Sequence, residues 1–165
     1  MITNTTASEL LTEFKEYFIT LLQHMSLDEI DEDWAEELLA QRYYSGFEDI
    51  WVELSDNCPE KSSDDSTQIQ NAMKEIKQHI PKELHHELAL CIYEDFDLLA
   101  RYVVAGEDNR YIASMCLCYA EGYIPMLALE PTNKSLQDAY TEFKMKMKIG
   151  ETLKKFIHNR ADDKF

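Results

Sequence analysis

At 165 residues, 45% of them apolar, the chain matches one ordinary domain that can bury a core without disulfides or a structural metal. Its net charge of −16 at pH 7 repels phosphate backbones and anionic membranes, which argues against direct nucleic-acid or membrane binding. What remains is attraction to a basic protein, or charge that serves solubility alone.

The imbalance is local. Residues 1–133 carry 27 acidic against 8 basic side chains, whereas residues 134–165 carry 5 against 8. The start Met1-Ile2-Thr3-Asn4-Thr5-Thr6 lacks the basic region of a secretory leader, and no apolar run approaches the roughly 20 residues of a membrane span. Of four cysteines, Cys91, Cys116 and Cys118 fall within helical patterns, where Cys acts as a small hydrophobe. The expected compartment is the reducing cytoplasm.

Thr6 followed by Glu9 is a capping box for a helix over residues 7–25, in which Leu10, Leu11, Phe14, Tyr17, Phe18, Leu21, Leu22 and Met25 repeat at spacings of three and four. Ser26 with Glu29 predicts a second helix running to about Tyr44, with Leu27, Ile30, Trp34 and Leu38 on its buried side. Gly46 interrupts the pattern, and Phe47, Ile50, Trp51 and Leu54 form a short third helix. Residues 55–66 are polar, contain Pro59 and form the one long loop.

A fourth helix carries Ile69, Ala72, Met73, Ile76 and Ile80, and Pro81 opens the fifth. Leu84, Leu88, Cys91, Ile92, Leu99 and Val103 line that fifth helix up to Gly106. Asp108 caps a sixth, with Tyr111, Ile112, Met115 and Tyr119, which Gly122 closes. Residues 124–131 form an apolar connection bracketed by prolines. Ser135 with Asp138 starts the last helix, which Gly150 kinks or divides, and residues 161–165 fray. No stretch alternates like a strand. The expectation is therefore all-α, a single domain over residues 1–165 of six to eight packed antiparallel helices, with an α-solenoid-like pairing in the C-terminal half.

Catalytic chemistry finds little support. The four glycines fall at helix ends or a kink and do not cluster as a phosphate cradle requires, and neither G-x-S-x-G nor H-E-x-x-H occurs. Glu83 and His86 have the three-residue spacing of a carboxylate–imidazole metal pair, but no second copy exists to complete a di-iron set. Cys116 and Cys118, two apart on a helix, point about 200° from each other and cannot chelate one ion. No catalytic residue, metal ligand or cofactor is assigned.

The densest feature is acidic. Seven of the ten residues 28–37 are Asp or Glu. Asp28, Glu29, Glu32, Asp33, Glu36 and Glu37 spread over a broad arc opposite the apolar stripe. Acids in a first turn favour the macrodipole, but Glu36 and Glu37 lie beyond it, and like charges four apart oppose helix stability. The arc is either a solvated face or a surface for a basic partner. Tyr43 and Tyr44 follow, about 100° apart, so both cannot be buried; one is a contact aromatic or a half-buried core tyrosine.

In size, charge and helical pattern the chain resembles the immunity proteins that neutralise secreted bacterial toxins, many of them basic nucleases. The resemblance rests on residues 28–37 and the charge of −16, with no family motif. It implies a cytoplasmic, non-enzymatic binding protein that blocks a toxin by charge complementarity. Two other readings stand beside it: a helical-repeat adaptor holding a peptide in an apolar groove of helices 4 to 7, and a metal-dependent enzyme using Glu83 and His86.

Overall fold

The computed structural model describes residues 6–162, with side chains described to Gly150. Seven α-helices follow one another: α1 (Ala7–His24), α2 (Glu32–Tyr44), α3 (Phe47–Asp56), α4 (Ser63–Lys77), α5 (His86–Ala105), α6 (Arg110–Ala120) and α7 (Leu136–Asp162), with a 3₁₀ turn at Leu27–Glu29 before α2. There is no strand among the described residues, and the helices pack as a single all-α domain.

The N-terminus of α1 forms as the sequence implies, the Glu9 N–H donating to Thr6 Oγ1 at 3.2 Å. Its buried stripe of Leu11, Phe14, Phe18, Leu21 and Leu22 packs against α4, α5 and α7. Phe18 is the hub. Its ring stacks on Phe14 at 4.1 Å and on Phe143 of α7 at 4.6 Å, and meets the edge of Phe96 of α5 at 4.6 Å. Phe96 in turn meets Tyr119 of α6 at 5.0 Å. One aromatic chain thus joins four helices, each buried ring contributing about 1.5–3 kcal/mol through burial plus the ring–ring geometry.

That central position of α1 separates the fold from a solenoid, in which each unit touches only its neighbours in sequence. α4–α5, α5–α6 and α6–α7 do pack consecutively, but α1 lies against α4, α5 and α7 together, and α2 packs on α5.

Several boundaries differ from expectation for local reasons. Ser62 accepts the Asp65 N–H at 3.1 Å, so α4 begins at Ser63 and the long loop shrinks to residues 57–62. Pro81 lies in a turn, and α5 starts only at His86. Asn109, not Asp108, caps α6, its Oδ1 accepting the N–H groups of Tyr111 and Ile112 at 3.0 Å each. Asp108 instead accepts the Leu136 N–H at 2.8 Å and so helps cap α7, where Ser135 accepts from Asp138 as expected. α7 runs through Gly150 unbroken, and a Cβ there would lie 3.4 Å from the His24 imidazole. Of residues 161–165, expected to fray, Ala161 and Asp162 complete α7, and 163–165 lie outside the described residues.

Candidate functional site

α2 departs furthest from the sequence reading. Ser26 makes no capping bond, and Leu27–Glu29 is one 3₁₀ turn followed by extended backbone at Ile30 and Asp31. Asp31 is the true N-cap, its Oδ1 accepting the Trp34 N–H at 2.8 Å. The break resets the helical phase. The buried stripe becomes Ala35, Leu38 and Arg42, and Trp34, expected inside, is 50% exposed.

α2 consequently mixes polar and apolar residues on both of its sides. It buries an arginine and exposes three large aromatics, because turning position 42 inward sends positions 43 and 44 outward. Tyr43 and Tyr44 are 67% and 83% exposed, in edge contact at 5.1 Å, so neither is a core tyrosine.

Arg42 is 3% exposed and reaches Asp95, fully buried on α5. The two form a bidentate pair, Nη1 to Oδ2 and Nη2 to Oδ1, both at 2.9 Å. Nη1 also donates to the Pro125 carbonyl at 2.8 Å, and the guanidinium sits 3.9 Å above the Phe47 ring centroid. The Tyr119 hydroxyl completes the centre, donating to Asp95 Oδ2 at 2.6 Å. Burial, and next the Asp95 charge, push the Tyr119 phenol well above its ordinary range. Burial opposes the charge on Arg42, but Asp95 outweighs it and holds the guanidinium protonated.

This centre fixes α2 to α5, α6 and the 121–135 connection. Ser45 adds a bond to the Met126 carbonyl at 2.8 Å. The connection so pinned leaves Tyr123 and Leu127 exposed. Between it and α2 lies a cleft of about 400 Å³ lined in part by Ile30, Trp34, Leu38, Tyr123 and Met126, with Glu29 beside them.

Asp28, Glu29, Glu32, Asp33, Glu36 and Glu37 are all exposed, and none forms an ion pair among the described residues. Asp28 and Glu29 lie in the 3₁₀ turn, so the like-charge pairs one turn apart on α2 reduce to Glu32/Glu36 and Asp33/Glu37. The other acidic groups are used by the fold: Asp95 in the buried pair, Asp97 with Arg101 at 2.9 Å, and Asp108 at the start of α7. Asp64 and Asp65 occupy the first turn of α4.

Glu83 and His86 do not share a helical face, because Glu83 lies in the turn before α5 and His86 is the first helical residue. The neighbouring His85, with Glu32 and Glu36, instead brings three ligand-type atoms together. The cysteines are free, and burial raises the thiols of Cys91 and Cys118 to about 11 and that of Cys116 to about 12. At those values they are protonated at neutral pH and poor nucleophiles.

Comparison with protein families gives a match to "Immunity protein PIM1" over residues 12–126, from α1 through α6 to the pinned connection. The chain belongs to the PIM1 immunity protein family. The matched segment contains the whole of α2, the Arg42–Asp95–Tyr119 centre and the Trp34–Tyr123 cleft. Family membership agrees with the resemblance drawn from charge and helical pattern, and with a PIM1-type immunity role. No curated protein and no solved structure matches the chain. No helix among the described residues is long and apolar enough to cross a membrane.

Proposed function

We propose that the protein binds and neutralises a basic toxin domain, a nuclease being the class whose cationic surface suits it, through the exposed side of α2. The observation that carries this reading is the exposure of Trp34, Tyr43 and Tyr44 on α2. A helix whose only task was to close the core would bury Trp34 and a tyrosine and expose Arg42. Here Trp34, Tyr43 and Tyr44 stand in solvent among Glu32, Asp33, Glu36 and Glu37, none of which has an ion-pair partner in the described chain. Exposed aromatics beside unpaired charges of one sign are the makings of a contact surface: the rings supply buried area and stack on Arg or Lys, and the carboxylates steer association.

The buried Arg42–Asp95 pair supports the reading by holding the helix and the 123–127 segment as one pre-formed surface, which lowers the ordering cost of binding. Action is by occlusion. The role proposed is that of a non-enzymatic inhibitor in the cytoplasm.

The test is titration of the protein into its cognate toxin domain, at low and high salt. Steered binding weakens steeply between about 50 and 500 mM salt. The E32K/D33K/E36K/E37K variant should lose roughly 100-fold or more in affinity, mostly through the association rate. Affinity indifferent to salt, or a charge-reversed variant that still protects, overturns the assignment of this face.

A further inference from the structure

We propose that Glu32, Glu36 and His85 form a Zn²⁺ site that bridges α2 to the start of α5. One ligand atom from each, a carboxylate oxygen from either glutamate and a ring nitrogen of His85, lies within 4.8 Å of the other two. Glu32 and Glu36 are one turn apart on α2, so their carboxylates stack on one side of the helix. His85 holds the N-cap position of α5 but makes no capping bond there. Its Nδ1 is shut off from solvent with no hydrogen-bond partner among the described residues, an expensive state for a ring nitrogen.

The scaffold suits a site of this kind. α2 packs against α5, and the bidentate Arg42–Asp95 pair sets the spacing of the two helices. Around a tetrahedral ion with bonds of about 2.0–2.2 Å the ligands stand about 3.4 Å apart. Rotation of the two exposed glutamate side chains closes the remaining gap. Two carboxylates and one imidazole are a three-ligand zinc set with the fourth position open to solvent. The imidazole nitrogen discriminates against Mg²⁺ and Ca²⁺, which prefer all-oxygen sites. A cation there also cancels the repulsion between Glu32 and Glu36, for which the chain provides no ion pair among the described residues.

The test is calorimetric titration of metal-free protein with ZnCl₂ at pH 7, without toxin. One equivalent should bind, with no competition from Mg²⁺ at about 1 mM. E36Q and H85Q should each weaken binding at least about tenfold, while H86Q, which alters the adjacent histidine, should match the parent. Co²⁺ should give a visible absorption band in the parent that E36Q lacks, a signature that a purely structural role of Glu36 does not produce. Should H85Q fail to fold, the surface variants E32Q and E36Q carry the test alone. Absence of binding at about 100 µM Zn²⁺, a stoichiometry above one, or variants that bind like the parent overturns the proposal. None of these results depends on the toxin assignment.

Discussion

The two ends of α2 treat charge in opposite ways. At its C-terminal end Arg42 is buried and paired: the guanidinium has Asp95 in bidentate contact, the Pro125 carbonyl, and the Phe47 ring beneath it. At its N-terminal end Glu32, Asp33, Glu36 and Glu37 are exposed and lack ion-pair partners among the described residues. One end spends its charge on the fold and the other leaves it available. Charged residues of one short helix therefore answer to different constraints, and substitutions should separate them.

The sharpest separation comes from breaking the buried pair. D95L leaves the Arg42 guanidinium buried without a counter-charge, which costs about 3–5 kcal/mol. R42M should cost a similar amount through the stranded carboxylate of Asp95. The R42M/D95L double variant should recover a large part of that loss, since apolar replacement of a buried pair is often near neutral. Urea unfolding of the four proteins measures it. Additive losses would mean that the two residues act separately, and would remove the centre from which the rigidity of α2 is argued.

Y119F probes the same centre more gently. It removes the 2.6 Å hydrogen bond to Asp95, a bond to a charged acceptor worth roughly 1.5–3 kcal/mol. It also acts on pH dependence. Burial and then Asp95 raise the folded-state pKa of Tyr119 above its unfolded value. The stability gained by keeping the phenol neutral is therefore fully present below about pH 10 and lost as pH rises beyond it. Relative to Y119F, the parent should lose stability more steeply in that alkaline window. Equal slopes would show that Tyr119 titrates freely in the folded protein.

How much of this was legible in the sequence follows the same division. The all-helical fold was, because the apolar spacing of α1, α4, α5, α6 and α7 is set by core burial and repeats at the helical period. The exposed carboxylates were too, since seven acids in ten residues cannot all be paired locally. The phase of α2 was not. Ser26/Glu29 and Asp31/Trp34 both present capping residues before a helix, and only tertiary packing selects the second. That choice moved Trp34 outward and Arg42 inward. The buried pair left a faint trace: Arg42 lies four residues beyond Leu38, and Asp95 falls at helical spacing between Leu88, Ile92 and Leu99. Two charges of opposite sign, each set in an apolar stripe of a different helix, were the available signal. Their distance of 53 residues in sequence hid it. Bringing His85 to Glu32 and Glu36 likewise required the packing of α2 on α5.

The smallest predicted effect bears most directly on the exposed end. Glu37 stands one turn after Asp33, so the two carboxylates repel, and neither belongs to the proposed metal site. E37Q removes the repulsion without changing the side chain's shape. It should stabilise the protein by about 0.2–0.5 kcal/mol at low ionic strength, a gain that fades as salt approaches about 1 M. Thermal unfolding at the two ionic strengths resolves it as a shift of a degree or two in Tm. Destabilisation would mean that the fold itself uses the Glu37 carboxylate, and the contrast between the two ends of α2 would weaken. A gain in stability joined to a loss of toxin affinity would give the converse: a charge that the helix tolerates at a small cost because its partner lies outside the chain.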